Sequence, residues 1–436
     1  MASQSVPLTE RKYVLPFVLV TSLFFLWSIG VNLNDVLIPH LKKAFDLSDF
    51  QSSFIQIAFF GGYFLAAFPA GRLMEKIGYK RGILLGLLIC SAGTLLFIPA
   101  ASSRIYGFFL LALFVMSSGQ SFLEVGANPY VTVLGPAESS ERRLNFAQSF
   151  NAVGAALVPT FGAAFILSGI EYTPAQRAAM SPQQLQAYIT SEANTVKVPY
   201  LIITGIFLFV AALIYFAHLP EVQPHETDKA SSDSGKGLNS ILAYPHLIKG
   251  IIAQFFYVGA QVGVGSFVIR FVKHSMPSTP EKMAALFLVA HQTGFMIGRF
   301  FGSWMMKRIP APKLLSIFGF GALACVIVGI GASGLASVLA IVLVGFFNSI
   351  MFPTIFALSL KNLGALTKRG SSLLVMSIIG GALIPAVMGR ISDASNIRIA
   401  FVMPLLCYVY VIYFALRGYR PDAAGIIPEH ATAEAK

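Results

Sequence analysis

Charged residues are scarce in this chain. Only 11% of its 436 residues are charged and 56% are hydrophobic, whereas soluble domains carry about 25% charged residues. The mean hydropathy is +0.73. So few charges cannot cover the surface of a water-soluble domain of this length. The composition therefore excludes a soluble protein and predicts an all-α membrane protein with many spans.

Cysteine and histidine are also rare. The three cysteines, Cys90, Cys325 and Cys407, lie in separate apolar segments, as expected for small buried side chains and not for a disulfide or a metal cluster. The sequence has no cluster of His or Cys ligands and no nucleophile motif, which argues against a membrane enzyme. We expect no catalytic residue, no metal and no cofactor.

Apolar runs long enough to cross a bilayer, about 20 residues each, recur along the whole chain. We predict twelve spans, near residues 13–40, 50–73, 82–100, 105–134, 144–168, 199–218, 246–272, 283–306, 313–332, 335–361, 371–392 and 398–418. The N-terminal segment lacks a small-residue cleavage site, and the first run is too long for a signal-peptide core. We therefore expect that run to remain as the first span.

The net charge of +12 is placed on one side of the predicted spans. Basic residues follow the second, fourth, eighth and tenth spans: Lys76, Lys80, Arg81, Arg142, Arg143, Lys307, Arg308, Lys313, Lys361, Lys368 and Arg369. This is the positive-inside bias, so we predict a bacterial inner-membrane protein with both termini in the cytoplasm and no nucleic-acid partner. Arg270, Arg299 and Arg390 lie near span ends, where we expect them to snorkel to the interface.

An internal repeat divides the chain into two halves. The string GAALVP at 154–159 matches GGALIP at 380–385 at an offset of 226 residues. Pro129 pairs with Pro353 at an offset of 224, and Gly71 pairs with Gly302 at 231. Such near-constant offsets favour duplication of a six-helix unit.

The polar stretch at 221–238 has linker composition and separates six spans from six. We predict an N-terminal bundle at 1–220, a cytoplasmic linker at 221–245, a C-terminal bundle at 246–420 and a cytoplasmic tail at 421–436. Two pseudo-symmetric six-helix bundles, with a substrate site near the membrane midplane between them, are the architecture of the major facilitator superfamily. We expect the protein to be a monomer in the lipid bilayer.

The loop after the second span, GRLMEKIGYKR at 71–81, resembles the signature loop of that superfamily. Its glycines permit a tight turn and close helix approach, and Glu75 and its basic neighbours can form ion pairs that hold the halves closed. The alternative is an ordinary basic loop. We predict a cytoplasmic gate formed by Gly71, Glu75, Lys76, Gly78, Lys80 and Arg81. The equivalent loop of the second half has Met306 in place of the acid.

Two carboxylates lie inside apolar runs: Asp35 in the first span and Glu124 in the fourth. A charge at the centre of a membrane helix costs roughly 2.5 to 3.5 kcal/mol on insertion scales, so such residues usually face an internal cavity and titrate or bind cargo. The sequence therefore predicts a membrane carrier coupled to a cation, with Asp35 and Glu124 as the coupling residues.

Amide side chains accompany these acids at helical spacing. Gln120, Glu124 and Asn128 follow one another in steps of four and form a polar stripe on the fourth span. Amides suit a hydroxyl-rich cargo, and a tryptophan can stack on a sugar ring; for each amide, polar contact between helices is the alternative. We predict substrate contacts from Trp27, Asn32, Gln120, Asn128, Gln148, Asn151, Tyr257, Gln261 and Asn348.

Five strings at these positions resemble the L-fucose:proton symporter family of the major facilitator superfamily. They are WSIGVNLND (27–35), LEVGANP (123–129), RLNFAQSFN (143–151), YVGAQ (257–261) and FPTIFALSLKNLG (352–364). The resemblance implies proton-driven sugar import, with Asp35 and Glu124 as the protonatable pair and with Asn32 and Gln148 touching sugar. Two positions depart from the family: Gly265 stands where the family has tryptophan, and Phe352 where it has tyrosine.

Together these features predict proton-coupled symport of a monosaccharide, L-fucose or a hexose such as glucose or galactose, by alternating access. A sodium-coupled hexose symporter on the same fold is the alternative, with the carboxylates as sodium ligands. A drug:proton antiporter would share the gate loop but would have a more apolar cavity.

Overall fold

The structure is a computed structural model that describes residues 6–45, 47, 49–166, 176, 179–220 and 244–421. Regular structure within these ranges is helical, with no strand. This agrees with the predicted all-α class, because a backbone in lipid must satisfy its hydrogen bonds within the segment that crosses.

The first half contains six helices. They are α1 (Val14–Phe45), α2 (Asp49–Ser103), α3 (Tyr106–Val133), α4 (Ser140–Ile166), α5 (Pro182–Asn194) and α6 (Lys197–Phe216). Helix α2 carries both the second and the third predicted spans, and the chain turns within it at Gly78, whose φ of 81° is in the left-handed region. The polar helix α5 lies in the segment between the fifth and sixth spans.

The second half contains shorter, interrupted helices. They are α7 (Pro245–Ser275), α8 (Glu281–Met305), α9 (Ala311–Gly331), α10 (Gly334–Asn348), α11 (Met351–Ser359), α12 (Thr367–Met376), α13 (Gly380–Ala394), α14 (Ile397–Ala400) and α15 (Val402–Tyr413). The tenth span is interrupted between α10 and α11, and the 3-10 turn Ser377–Ile379 interrupts the eleventh. A π-helical turn, Phe414–Gly418, ends the twelfth.

Ten helical stretches of the described chain are long and apolar enough to cross a membrane. One of them, Phe54–Ser103, has room for two crossings because Gly78 turns the chain within it. Helix α4 covers the described part of the predicted fifth span. The described helices therefore account for the twelve predicted spans.

Close helix packing supports the internal repeat. A side chain at Gly154 of α4 would collide with Ser28 of α1, and one at Gly380 of α13 would collide with Phe255 of α7. The two repeated glycines thus each contact the first helix of their own half. The predicted linker and tail lie largely at 221–243 and 422–436, outside the described residues, and the predicted domain bounds stay a prediction.

Helices of the first half pack against helices of the second half across the boundary between the halves. Helix α4 packs on α8 and α11, and α12 packs on α2 and α3. The polar face of α4 meets the second half, where Asn145 Nδ2 donates to Thr354 Oγ1 of α11 (3.1 Å).

Candidate functional site

The polar stripe of α3 is buried. Gln120 and Asn128 are fully buried and Glu124 is 8% exposed. The hydroxyl of Tyr63 on α2 lies 3.2 Å from Gln120 Oε1 and 3.4 Å from Glu124 Oε1, so its single proton can serve either acceptor. Among the described residues, Glu124 Oε2 and Gln120 Nε2 have no hydrogen-bond partner. The stripe thus holds an acceptor and a donor that the protein leaves free for another group.

Hydrogen bonds connect this stripe to the second half. Asn128 Nδ2 donates to the main-chain oxygen of Glu124 (3.1 Å), and Gln148 Nε2 of α4 donates to Asn128 Oδ1 (2.9 Å). Arg299 of α8 then donates to Gln148 Oε1 (2.8 Å). Its guanidinium also lies over the Phe295 ring, 4.7 Å from the centroid. These hydrogen bonds therefore link the backbone of α3 in the first half, at the main-chain oxygen of Glu124, to a cation of the second half.

The position of Arg299 corrects the sequence analysis, which expected this side chain to snorkel to the interface. It is only 3% exposed, and its charge interacts with that of Glu124. Burial is tolerated because two oxygens of Gln148 and one aromatic ring replace water around the guanidinium. Arg270 and Arg390 are exposed, as expected.

Helix α1 contributes a second polar group. Asn32 Nδ2 donates to the main-chain oxygen of Ser28 (2.8 Å) and to Ser28 Oγ (2.9 Å), and Ser28 Oγ donates to the main-chain oxygen of Asn151 (2.8 Å). Asn32 and Asn151 are half-buried. The backbone of Asp35 lies in α1, but its side chain is outside the described part of the structure.

Trp27 is almost fully buried, at 1% exposed. Its ring packs on Phe24, with centroids 4.3 Å apart. Because the ring is covered by protein in this conformation, stacking on a sugar would require a change of side-chain position.

In the second half, buried polar side chains lie around the interruption of the tenth span. Tyr257 donates to the main-chain oxygen of Asn348 (3.0 Å), and both residues are fully buried. In the described chain, neither side-chain amide atom of Gln254 has a hydrogen-bond partner, and the Asn348 side chain interacts with the buried Tyr408 hydroxyl. Gln261, one turn beyond Tyr257 on α7, is half-buried.

The two departures from the family pattern have different surroundings. A side chain at Gly265 would meet no atom within 4 Å, so open space lies beside it. Phe352 is 8% exposed and stacks on Phe356, with centroids 5.9 Å apart. The glycine therefore leaves room on the α7 side, whereas the phenylalanine is part of the packed core.

An ion pair joins the predicted gate loop to the other half. Glu75 Oε1 lies 2.6 Å from Arg369 Nε of α12. Lys368 donates to the main-chain oxygen of Met74 (2.9 Å). A side chain at Gly71 would lie 2.7 Å from Ser372 Oγ, so only glycine allows this close approach. The two halves are in contact at this loop.

A second ion pair, between Glu141 of α4 and Lys361 after α11, joins the halves elsewhere on the same face. Nearby, Ser303 of α8 donates to the main-chain oxygen of Arg142 (3.4 Å). In the second half, the loop that corresponds to the gate loop has Met306 in place of an acid. The acid of this second ion pair is supplied instead by Glu141 of α4. The sequence does not identify Arg369, Glu141 and Lys361 as partners, because each pair is more than 200 residues apart in the chain.

The remaining gate residues have other roles in this conformation. Lys80 donates to the main-chain oxygens of Tyr215 (2.9 Å) and Ala217 (2.8 Å) and so caps the end of α6. Gly78 makes the turn within α2, and Lys76 and Arg81 are exposed.

The remaining His, Cys, Asp and Glu side chains of the described structure are dispersed, not clustered. In the described ranges, no group of three His, Cys, Asp or Glu residues could hold a metal ion. His291 is buried, and its Nδ1 lies 3.2 Å from the main-chain oxygen of Val342, which is the packed arrangement expected for a lone intramembrane histidine.

Comparison with known proteins matches residues 20–387 to the model of the Major Facilitator Superfamily. The glucose/galactose transporter of Brucella abortus is 41% identical over 411 residues, which cover 94% of this chain and 95% of the relative. The L-fucose-proton symporter of Escherichia coli is 42% identical over 409 residues, or 93% of each chain. A crystal structure of the transporter FucP in the outward conformation superimposes with a TM-score of 0.85, at 42% identity, over 93% of this chain and 99% of that one.

Proposed function

The chain belongs to the Major Facilitator Superfamily, and from this premise we propose that it imports a monosaccharide together with a proton. Relatives that are about 40% identical to it are sugar transporters, and the similarity extends over nearly the whole length of both chains. The observation that carries the proposal is the buried Glu124 carboxylate, whose Oε1 lies 3.4 Å from the Tyr63 hydroxyl, next to the Asn128–Gln148–Arg299 hydrogen bonds that reach the second half. A membrane enzyme has no support in these comparisons.

Glu124 is the proposed proton carrier. One of its oxygens has no partner among the described residues, and Tyr63 and the charge of Arg299 are close to it. Protonation would remove the negative charge that faces Arg299, so proton binding changes the attraction between α3 and α8, which belong to different halves. Asp35 is the proposed partner acid on α1 and couples sugar occupancy to the proton.

The cargo that fits this site is a neutral, hydroxyl-rich molecule. Amides both donate and accept, as sugar hydroxyls do, and Gln120 and Gln254 keep unpaired buried atoms in the described structure. L-Fucose, glucose and galactose are the candidates, by analogy with the relatives. Gly265 leaves open space beside α7 where a tryptophan side chain would lie.

The two ion pairs on the loop face are the proposed cytoplasmic gate. Glu75–Arg369 and Glu141–Lys361 each join one half to the other, and both must break before the halves can separate on that side. Alternating access then consists of rocking the two bundles around the central site. The proposal places both termini in the cytoplasm of a bacterium and treats the protein as a monomer.

The proposal is tested by uptake into vesicles that contain the purified protein. Labelled L-fucose, D-glucose and D-galactose are offered under an imposed inward proton gradient, an inward sodium gradient or neither. We expect concentrative uptake of at least one sugar with the proton gradient alone. Accumulation that requires sodium at fixed pH would favour the sodium-coupled alternative, and absence of uptake of any sugar would contradict the proposal.

A further inference from the structure

An apolar groove lies where α2 of the first half meets the second half. Its volume is about 330 Å³, and its lining includes Phe64 of α2, Ile252 and Phe255 of α7, and Leu373, Met376 and Ile379 of the eleventh span. Ser377 also borders it, but the hydroxyl donates to the main-chain oxygen of Leu374. The groove therefore offers a ligand apolar contact only.

The groove opens on the outer, membrane-facing surface of the helices. Phe64 is 38% exposed and Ile252 is 39% exposed. A volume above about 300 Å³ is typical of small-molecule sites. Its ligand must come from the bilayer, where the long apolar groups are acyl chains.

A stripe of side chains leads from the groove to the membrane surface. Phe64, Phe68, Arg72 and Lys76 follow one another on α2 in steps of four, so they share one face. The Arg72 guanidinium lies over the Phe68 ring, 4.4 Å from the centroid. Arg72 and Lys76 are both exposed. The stripe thus begins with aromatic rings and ends with two positive charges.

The length of this stripe matches one leaflet. At 1.5 Å per residue, Arg72 lies about 12 Å and Lys76 about 18 Å along the helix from Phe64. Half of the hydrocarbon core is about 15 Å thick. When the groove is at the depth of the acyl chains, the two charges are at the level of the head groups.

Within the described residues, no acid forms an ion pair with either of the two positive charges. Glu75, which lies between Arg72 and Lys76 in sequence, is paired with Arg369. An anionic head group supplies the missing charge, and each basic residue near an anionic membrane surface contributes binding free energy.

We propose that an anionic phospholipid of the cytoplasmic leaflet binds at this position, with an acyl chain in the groove and its phosphate beside Arg72 and Lys76. Because the lining comes from both halves, separation of the halves on the gate side would divide the groove. The bound lipid therefore stabilises the arrangement with the cytoplasmic side closed. This stabilising effect rests on the proposed alternating access, but the binding itself does not.

Native mass spectrometry of the purified full chain, offered phosphatidylglycerol and phosphatidylcholine with identical acyl chains, tests the proposal. We expect preferential retention of phosphatidylglycerol. The R72Q/K76Q variant should bind it about 25-fold more weakly, at about fivefold for each charge. Ile252→Trp, which fills the groove, should reduce retention of both lipids.

Two control variants separate this site from general effects. K307Q/R308Q removes the same two charge types from the corresponding loop of the second half, where both residues are exposed. Leu65→Trp adds the same bulk at an exposed position beside the groove. Both should retain phosphatidylglycerol like the parent chain. Equal retention of the two lipids, an equal loss in the control variants, or a dimer in place of lipid adducts would overturn the proposal. None of these readouts depends on sugar transport.

Discussion

At the scale of single residues, the polar face of the fourth span was predictable from the sequence, whereas the burial of Arg299 was not. Glu124 and its two amides are spaced four residues apart on one helix, so one face was evident from local spacing alone. Arg299 lies near a span end, where snorkelling is the ordinary outcome. Its burial depends on Gln148, which is 151 residues away and belongs to the other half. Such a contact exists only once the two halves are packed together.

Arg299 should be essential for coupled uptake. Arg299→Gln removes the buried positive charge, and Arg299→Lys keeps a charge but lacks the planar guanidinium that lies over the Phe295 ring while its Nη1 donates to Gln148. Because hydrogen bonds to charged groups contribute about 1.5 to 3 kcal/mol, we expect proton-driven uptake to fall about tenfold or more in both variants. The measurement is the initial rate of labelled sugar uptake under a proton gradient.

A matched control is Arg270→Gln, which removes an exposed arginine whose guanidinium lies over the Phe267 ring. It should transport like the parent chain. Thermal unfolding of each variant identifies any loss that is due to misfolding. Full activity of the folded Arg299→Gln variant would show that the buried guanidinium has no part in transport.

At the scale of helices and loops, the sequence indicated the acid of the gate but not its partner. The expected ion pairs involved bases near Glu75, whereas the structure pairs it with Arg369, 294 residues away. The loop also proved to be helical on both sides of Gly78. The repeat gives no indication of Glu141–Lys361, because the partners are 220 residues apart and the repeated loop has methionine at the acidic position.

Breaking the Glu75–Arg369 pair should favour opening of the cytoplasmic side. Ser372 is buried beneath Gly71, so a cysteine placed there, after replacement of the three native cysteines, reacts with a maleimide only when the halves separate. Both partners are 24% exposed, and pairs of this kind contribute up to about 1 kcal/mol. We expect Glu75→Gln and Arg369→Gln each to speed labelling by about fivefold.

The charge exchange Glu75→Arg with Arg369→Glu should restore slow labelling, because it reforms the pair in reverse. Glu10→Gln, which breaks an exposed pair with Lys12, should leave the rate unchanged. Fast labelling in the exchanged variant would mean that the two charges do not act as a pair.

At the scale of the whole molecule, the repeated strings and the positive-inside bias sufficed to predict twelve spans and an internal duplication. The repeated glycines Gly154 and Gly380 contact corresponding helices of their own halves. What the sequence could not provide is the arrangement of one half against the other, because the groups that meet there are polar, few and far apart in the chain. The site and the gate both lie at that boundary.

The central claim is that a proton crosses with the sugar and that Glu124 carries it. The most direct test is to add sugar outside proteoliposomes that enclose a pH-sensitive dye, with no ion gradient imposed. The account predicts internal acidification with the parent chain and with Glu138→Gln, an exposed acid. With Glu124→Gln it predicts exchange of labelled sugar without acidification. Sugar entry without a pH change in the parent chain, or unchanged acidification with Glu124→Gln, would contradict it.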